Sequence, residues 1–183
     1  MVVEPQVAER LLAVFTVGHS TRSLDEFIGL LKSYAIELLV DIRTVPRSRH
    51  NPQFNKDILE EVLPLHRIRY LHLMELGGLR HTHVDSPNTG WRNASFRGFA
   101  DYMQTPLFAS AIDRLIDLAR ERTTVIMCAE AVPWRCHRSL IGDALVVRGI
   151  EVRDIFSQVS VKPHSLSTLA KVQGSLVYYP PSS

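Results

Sequence analysis

The stretch that decides the reading of this chain is Thr123 to Leu145, TTVIMCAEAVPWRCHRSLIGDAL. It opens with Thr123-Thr124-Val125-Ile126-Met127, a β-branched, apolar run that predicts a buried strand. Cys128, Glu130, Trp134, Arg135, Cys136, His137 and Arg138 follow around Pro133. Leu140, Ile141, Leu145 and Val146 then recur at helical spacing, so the chain leaves this loop as a helix. A strand that ends in such a loop and opens a helix is where α/β folds put their ligands. An ordinary turn does not need two thiols, an acid, a His and two Arg together. The loop is therefore read as the functional centre.

Outward from it, the same alternation repeats. Val14-Phe15-Thr16-Val17 predicts a strand ended by Gly18-His19-Ser20-Thr21. Ser23 with Glu26 three residues on forms a capping box, and Leu24, Phe27, Ile28, Leu30 and Leu31 make the stripe of a helix running to about Tyr34. Residues 36–42, IELLVDI, are nearly continuous in apolar side chains, which predicts a central strand covered on both faces. This β-α-β spacing favours a parallel pair of strands. Residues 44–54 form a loop with two prolines, 55–63 a short helix, and 68–73 a third strand. Residues 74–95 are irregular, and so long a connection is often functional. Two helices follow, over 96–103 and from Pro106, the second with Phe108, Ile112, Leu115, Ile116 and Ala119 on one face. Gly149 closes the helix after the central loop, and residues 150–156 predict a last strand. Residues 1–13 read as a helical or irregular lead-in packing through Val7, Leu11 and Leu12. The tail from Ser157 is Ser- and Pro-rich with a strand-like patch at 176–179. The expected architecture is one α/β domain over residues 1–183, with a mostly parallel sheet flanked by helices and ligands at the strand C-termini.

At 183 residues the chain can bury a real core without metals or disulfides. Its 45% hydrophobic and 22% charged content is that of a soluble globular protein. No apolar run approaches the roughly 20 residues of a membrane helix, and the N-terminus lacks the basic start of a signal peptide. Two cysteines make no disulfide framework, so a reducing cytoplasm is the expected setting. A net charge of +2 is too small to argue for nucleic acid by itself; its distribution matters more.

With parallel strands, His19, the Asp41–Arg43 pair and the Cys128–Glu130 segment fall on one sheet edge. Arg43, Arg47, Arg49 and His50 form the densest basic cluster, extended by Arg80, Arg92 and Arg97 from the long loop. Guanidinium groups suit bidentate contact with phosphate or carboxylate; the bland alternative is a solvated loop paired with Asp41, Asp85 and Asp101. Cys128 reads either as a buried structural thiol or as a thiolate favoured by Arg135, Arg138 and the helix N-terminus. Its setting is similar to the phosphate loops of cysteine phosphatases and rhodaneses. The phosphatase spacing is not met, however: six residues rather than five separate Cys128 from Arg135, and Met127 stands where those enzymes have His. Glu130 is the stronger acid/base candidate, expected to be partly desolvated, with Asp41 as a partner carboxylate. Its alternative role is an ion pair with Arg138 or Arg43. The candidate catalytic set is thus Glu130, Cys128, His19 and Asp41. The candidate substrate-binding set is Arg43, Arg47, Arg80, Arg97, Arg135, Arg138 and His137. Metal binding by Cys128, Cys136 and His137 lacks the usual zinc spacing, and neither a metal nor a cofactor is expected. Trp91, Phe96 and Phe99 either stack a base or pack the long loop.

Five ordered motifs, VGHS at 17–20, DIRTVPRSRHNPQF at 41–54, ELGGLR at 75–80, RGFADYM at 97–103 and MCAEAVPWRCHRSLI at 127–141, resemble the bacterial and archaeal family of domain of unknown function 488. The resemblance covers roughly Phe15 to Phe156. Its signature pairs Cys-Ala-Glu with Cys-His-Arg, matched by Cys128, Glu130, Cys136, His137 and Arg138. It implies a single α/β domain in the cytoplasm and no established activity. His81-Thr82-His83 and the Tyr-rich tail lie outside the pattern. The leading expectation is an enzyme of hydrolysis or group transfer on an anionic, phosphate-bearing or nucleotide-like substrate. Its rivals are a nucleic-acid or nucleotide binding module and a thiol-redox or metal protein.

Overall fold

The computed structural model describes residues 12–182, so most of the expected lead-in, residues 1–11, lies outside the described residues. The chain forms an α/β fold around a six-stranded, mostly parallel sheet ordered β3-β2-β4-β1-β5-β6. The strands are β1 Ala13–Gly18, β2 Leu38–Asp41, β3 Arg69–His72, β4 Thr124–Cys128, β5 Glu151–Ser157 and β6 Ser160–Pro163. Within this sheet β6 runs antiparallel to its neighbour β5, and the other pairings are parallel. Among the described residues five helices flank the sheet: α1 Leu24–Ser33, α2 Lys56–Leu65, α3 Ala94–Tyr102, α4 Pro106–Glu121 and α5 Arg138–Val146. Ser23 and Glu26 close the expected capping box on α1, and Thr105 caps α4 through its hydroxyl ahead of Pro106.

Side-chain alternation splits the core into two layers. On one face Phe15, Val17, Leu39, Val125 and Met127 pack against α1, α2 and Phe54. On the other, Val14, Leu38, Val40, Ile126 and Cys128 pack against α3, α4 and α5. Both faces of the central strands are covered, hence their near-continuous apolar sequence. Each fully buried large aliphatic or aromatic side chain contributes about 1.5–3 kcal/mol.

The spacing of β1 and β2 predicts that they pair directly; instead β4 inserts between them. β4 is buried at all five positions, so the centre of the sheet is where its apolar surface is best covered. This insertion aligns the strand ends, with Gly18 opposite Cys128 and Asp41 opposite Met127. After β1 the chain crosses to the α1 layer, and after β4 to the α5 layer. Adjacent parallel strands whose connections leave to opposite faces open a crevice at their C-terminal ends.

The tail is built in rather than loose. β6 extends the sheet, and β7 Lys171–Gln173 with β8 Leu176–Tyr178 forms a small hairpin turned through Gly174 at φ 62°. Tyr179 is fully buried, its hydroxyl donating to Asp143 at 2.9 Å and its N–H to Asn88 at 2.9 Å. The long irregular segment is pinned by Asp101, which accepts from the Ser86 hydroxyl, the Asn88 amide and the His83 backbone N–H.

Candidate functional site

A cleft of about 510 Å³ opens at the crevice between the ends of β1, β2 and β4. Arg43, Arg47 and Arg135 lie on its walls, His19, Cys136 and His137 are among its innermost groups, and Glu130 stands at the edge. Arg47, Arg135 and Glu130 are solvent-exposed, whereas Arg43, His19 and Cys136 are buried. Gly18 lets the strand ends meet here, because a Cβ on it would overlap the Glu130 backbone carbonyl.

The innermost feature is a pair of free thiols. The Cys136 thiol faces Cys128 with the two sulfurs 2.6 Å apart. The Arg138 guanidinium, 1% exposed, places Nη1 2.7 Å from the Cys128 sulfur. It also donates to the carbonyls of Glu130 at 2.7 Å and Ala131 at 3.2 Å. Among the described residues no carboxylate pairs with it, and its Nε is buried without a partner. Burial would push the Cys128 thiol up, but the Cys136 hydrogen bond and the Arg138 charge outweigh it and hold the thiol below its ordinary value. The bond to Cys128 and burial drive the Cys136 thiol well above its ordinary value. Of the two thiols, Cys128 therefore gives up its proton first and Cys136 retains its own. The Cys136 sulfur also accepts the Arg138 backbone N–H at the start of α5, at 3.5 Å.

His137 adjoins this pair. Its Nε2 lies 2.9 Å from the Leu76 carbonyl and 3.2 Å from that of Ile42, contacts that require Nε2–H. Nδ1 is then a lone pair 3.5 Å from the Cys136 sulfur. Burial, against those two carbonyls, lowers the imidazole to about 4. The close approach depends on Gly78, where a Cβ would fall 2.5 Å from Nδ1.

On the β1–β2 side, Asp41 is fully buried and accepts from Arg43 Nε at 2.9 Å, Arg43 Nη2 at 2.6 Å and the Tyr70 hydroxyl at 2.7 Å. Arg43 Nη2 also donates to the Phe54 carbonyl at 2.7 Å, leaving Nη1 with a 3.4 Å contact to His19 Nε2. His19 donates from Nδ1 to the Ser20 carbonyl at 2.8 Å and stacks on Phe54 with centroids 4.3 Å apart. Burial first, and Arg43 next among the groups that lower it, bring His19 to about 4. It is neutral at pH 7 with Nε2 as an acceptor.

The candidates divide accordingly. His19, Arg43, Arg47, Glu130, Arg135 and His137 come together at the cleft. Asp41 is spent on Arg43 and Tyr70, so it positions the arginine rather than serving as Glu130's partner. Glu130 is exposed rather than desolvated, and it is the Glu130 carbonyl, not its carboxylate, that engages Arg138. Arg138 does not line the cleft; its guanidinium is consumed beneath it by Cys128 and the loop carbonyls. Arg80 is turned away, stacked 3.7 Å over Tyr102 and bonded to the Gly77 carbonyl. Arg97 is tied to the Trp91 carbonyl. Phe99 is core and Trp91 packs on Phe96 and Tyr179. Sequence reading missed the Phe54 platform, the Tyr70 hydroxyl and Gly78. Phe54 and Gly78 sit inside quoted motifs, which was the available signal. It also missed Asp143 and Asp154 holding His164 at 3.0 and 2.9 Å, since nothing periodic marks a lone His in a polar tail. Among the described residues no helix is long and apolar enough to cross a membrane, and no group of three or more His, Cys, Asp or Glu converges as a metal site.

Compared with known proteins, the chain matches no curated protein and no solved structure. A family model described as Domain of unknown function DUF488 matches residues 23–145, which include Asp41–Arg43, the long loop and the whole Cys128–Arg138 segment. The chain, thiol pair and buried guanidinium included, belongs to the DUF488 family.

Proposed function

We propose that the protein is a small enzyme that holds an anionic, phosphate-bearing or nucleotide-like substrate in the cleft and carries out hydrolysis or group transfer through its thiol pair. The observation that carries this reading is the buried Arg138 guanidinium, without a carboxylate partner among the described residues, set 2.7 Å from the Cys128 sulfur beneath a cleft walled by three further arginines. A thiolate is the nucleophilic form of cysteine, and a neighbouring guanidinium favours it. Arg43, Arg47 and Arg135 supply charge-assisted hydrogen bonds to the anion. Cys136, which borders the cleft, presents the pair's sulfur to substrate after its proton passes to Cys128. Neutral His19, whose Nε2 is an acceptor in long 3.4 Å contact with Arg43 Nη1, and Glu130 at the edge are the acid/base groups. Arg138 is a positioning residue.

Inorganic phosphate is the probe for the anion site, with exposed Trp134 as fluorophore. Arg47→Ala and Arg135→Ala each weaken phosphate binding about tenfold or more, as loss of a charge-assisted bond of roughly 1.5–3 kcal/mol requires. Binding unchanged in both variants would sink the reading. A nucleic-acid module is the second reading, favoured by the exposed indole of Trp134 beside Arg135. It predicts steep salt dependence of single-strand binding that Cys128→Ser leaves intact.

A further inference from the structure

We infer that Cys128 and Cys136 form a reversible dithiol–disulfide couple, oxidised by small hydroperoxides that enter through the cleft. The inference rests on the same thiol pair as the proposed reaction, but it adds a redox activity that anion binding does not require.

Four observations converge on it. The sulfurs stand 2.6 Å apart, so closing a bond needs a shift of only about 0.5 Å. The pair is assembled from two elements, the end of β4 and the turn before α5, that the buried Arg138 ties together. Cys136 borders a cleft wide enough for a peroxide. Finally, the reduced pair is the state that can neutralise Arg138: a thiol at Cys128 can ionise 2.7 Å from the guanidinium, whereas a disulfide there cannot. Stabilising the reduced form makes a disulfide more oxidising and easily reduced. That favours a couple that cycles over a permanent staple.

The chemistry balances with a hydroperoxide as the two-electron oxidant. The proton shared by the sulfurs passes from Cys136 to Cys128, and the Cys136 thiolate attacks the near oxygen of the peroxide. An S–O bond forms, the O–O bond breaks, and hydroxide (or alkoxide) leaves and takes a proton from solvent in the open cleft. Cys128 then attacks the Cys136 sulfur. The S–S bond forms, the S–O bond breaks, and the departing hydroxide takes the Cys128 proton as water. Each sulfur has given one electron to the O–O bond. Glu130 at the cleft edge is exposed, and burial keeps the His19 and His137 rings neutral at pH 7.

The test treats the reduced full-length protein with hydrogen peroxide, then alkylates it under denaturing conditions and reads the intact mass. Both thiols alkylate before treatment. After it neither does, the mass falls by two hydrogens, and dithiothreitol restores both. Cys128→Ser instead stops at a sulfenic acid on Cys136, trapped by dimedone. Arg138→Met slows disulfide formation at pH 7 about tenfold or more, and Arg138→Lys, which keeps the charge should the Met variant not fold, slows it less. Two thiols still alkylatable at peroxide levels that oxidise glutathione, or passage to sulfinic acid without a disulfide, overturns the couple. Phosphate binding measured on the same samples separates the two claims. If it persists without a disulfide, only the couple fails; if it is absent while the disulfide forms, only the anion reading fails.

Discussion

The Arg138 guanidinium cannot shed its proton in a protein, so its neighbours must accommodate a permanent charge. Carbonyls at 2.7 and 3.2 Å solvate it, and the Cys128 sulfur at 2.7 Å is a group able to neutralise it. The contrast with Arg43 is instructive, because Arg43 has its own buried carboxylate at 2.6 Å. Breaking that pair isolates a charge 8% exposed, so Asp41→Asn costs about 3 kcal/mol or more in urea unfolding. A loss below about 1 kcal/mol would mean that Arg43 finds another partner. The residues of the site were legible as a set but not by role. Glu130 reads from sequence as the desolvated acid, yet the loop turns its carbonyl inward and its carboxylate outward, a choice of backbone rotation that residue type does not encode.

At the scale of elements, the sequence resolves what depends on local periodicity. The capping box at Ser23, the buried face of α4 and the β4–loop–α5 unit all follow from patterns within a few turns. Strand order does not. Whether β4 lies beside β1 alone or between β1 and β2 is settled by which strand needs cover on both faces, a contest among segments far apart in the chain. The same limit hid β6 and β7, whose exposed residues carry no sustained apolar alternation, whereas β8 falls within the strand-like patch expected at 176–179. It also explains Arg80 and Arg97. Their loop gathers the right charges, but each guanidinium is captured by a nearby carbonyl, and such captures follow from the path of the backbone.

For the whole molecule, His19, His137 and His164 set opposing limits on pH stability. His19 and His137 are held to about 4 by burial. Between that value and 6.5 the unfolded chain binds protons the fold refuses, so stability falls as pH drops from 6.5 toward 4. His164 runs the other way. Burial would lower it, but hydrogen bonds and charges from Asp143 and Asp154 raise it to about 9. Its contribution, about 3 kcal/mol, is complete below pH 6.5 and lost as pH rises through 9. Asp143 also binds the Tyr179 hydroxyl and Asp154 the Thr16 hydroxyl, so His164 fastens the tail to β1, β5 and α5. Urea midpoints should peak between pH 6.5 and 7, and His164→Gln should remove the alkaline decline. A midpoint flat from pH 6.5 to 9.5 in the native protein rules out the charged cluster.

The chemistry of the site turns on one titration. Absorbance of the reduced protein near 240 nm, followed against pH, counts thiolates directly. The structure predicts one thiolate forming below the ordinary value of about 8.5 for free cysteine, abolished by Cys128→Ser and shifted upward by Arg138→Met, while the second thiol stays protonated well above it. Two thiols that both titrate at or above the ordinary value would contradict the account.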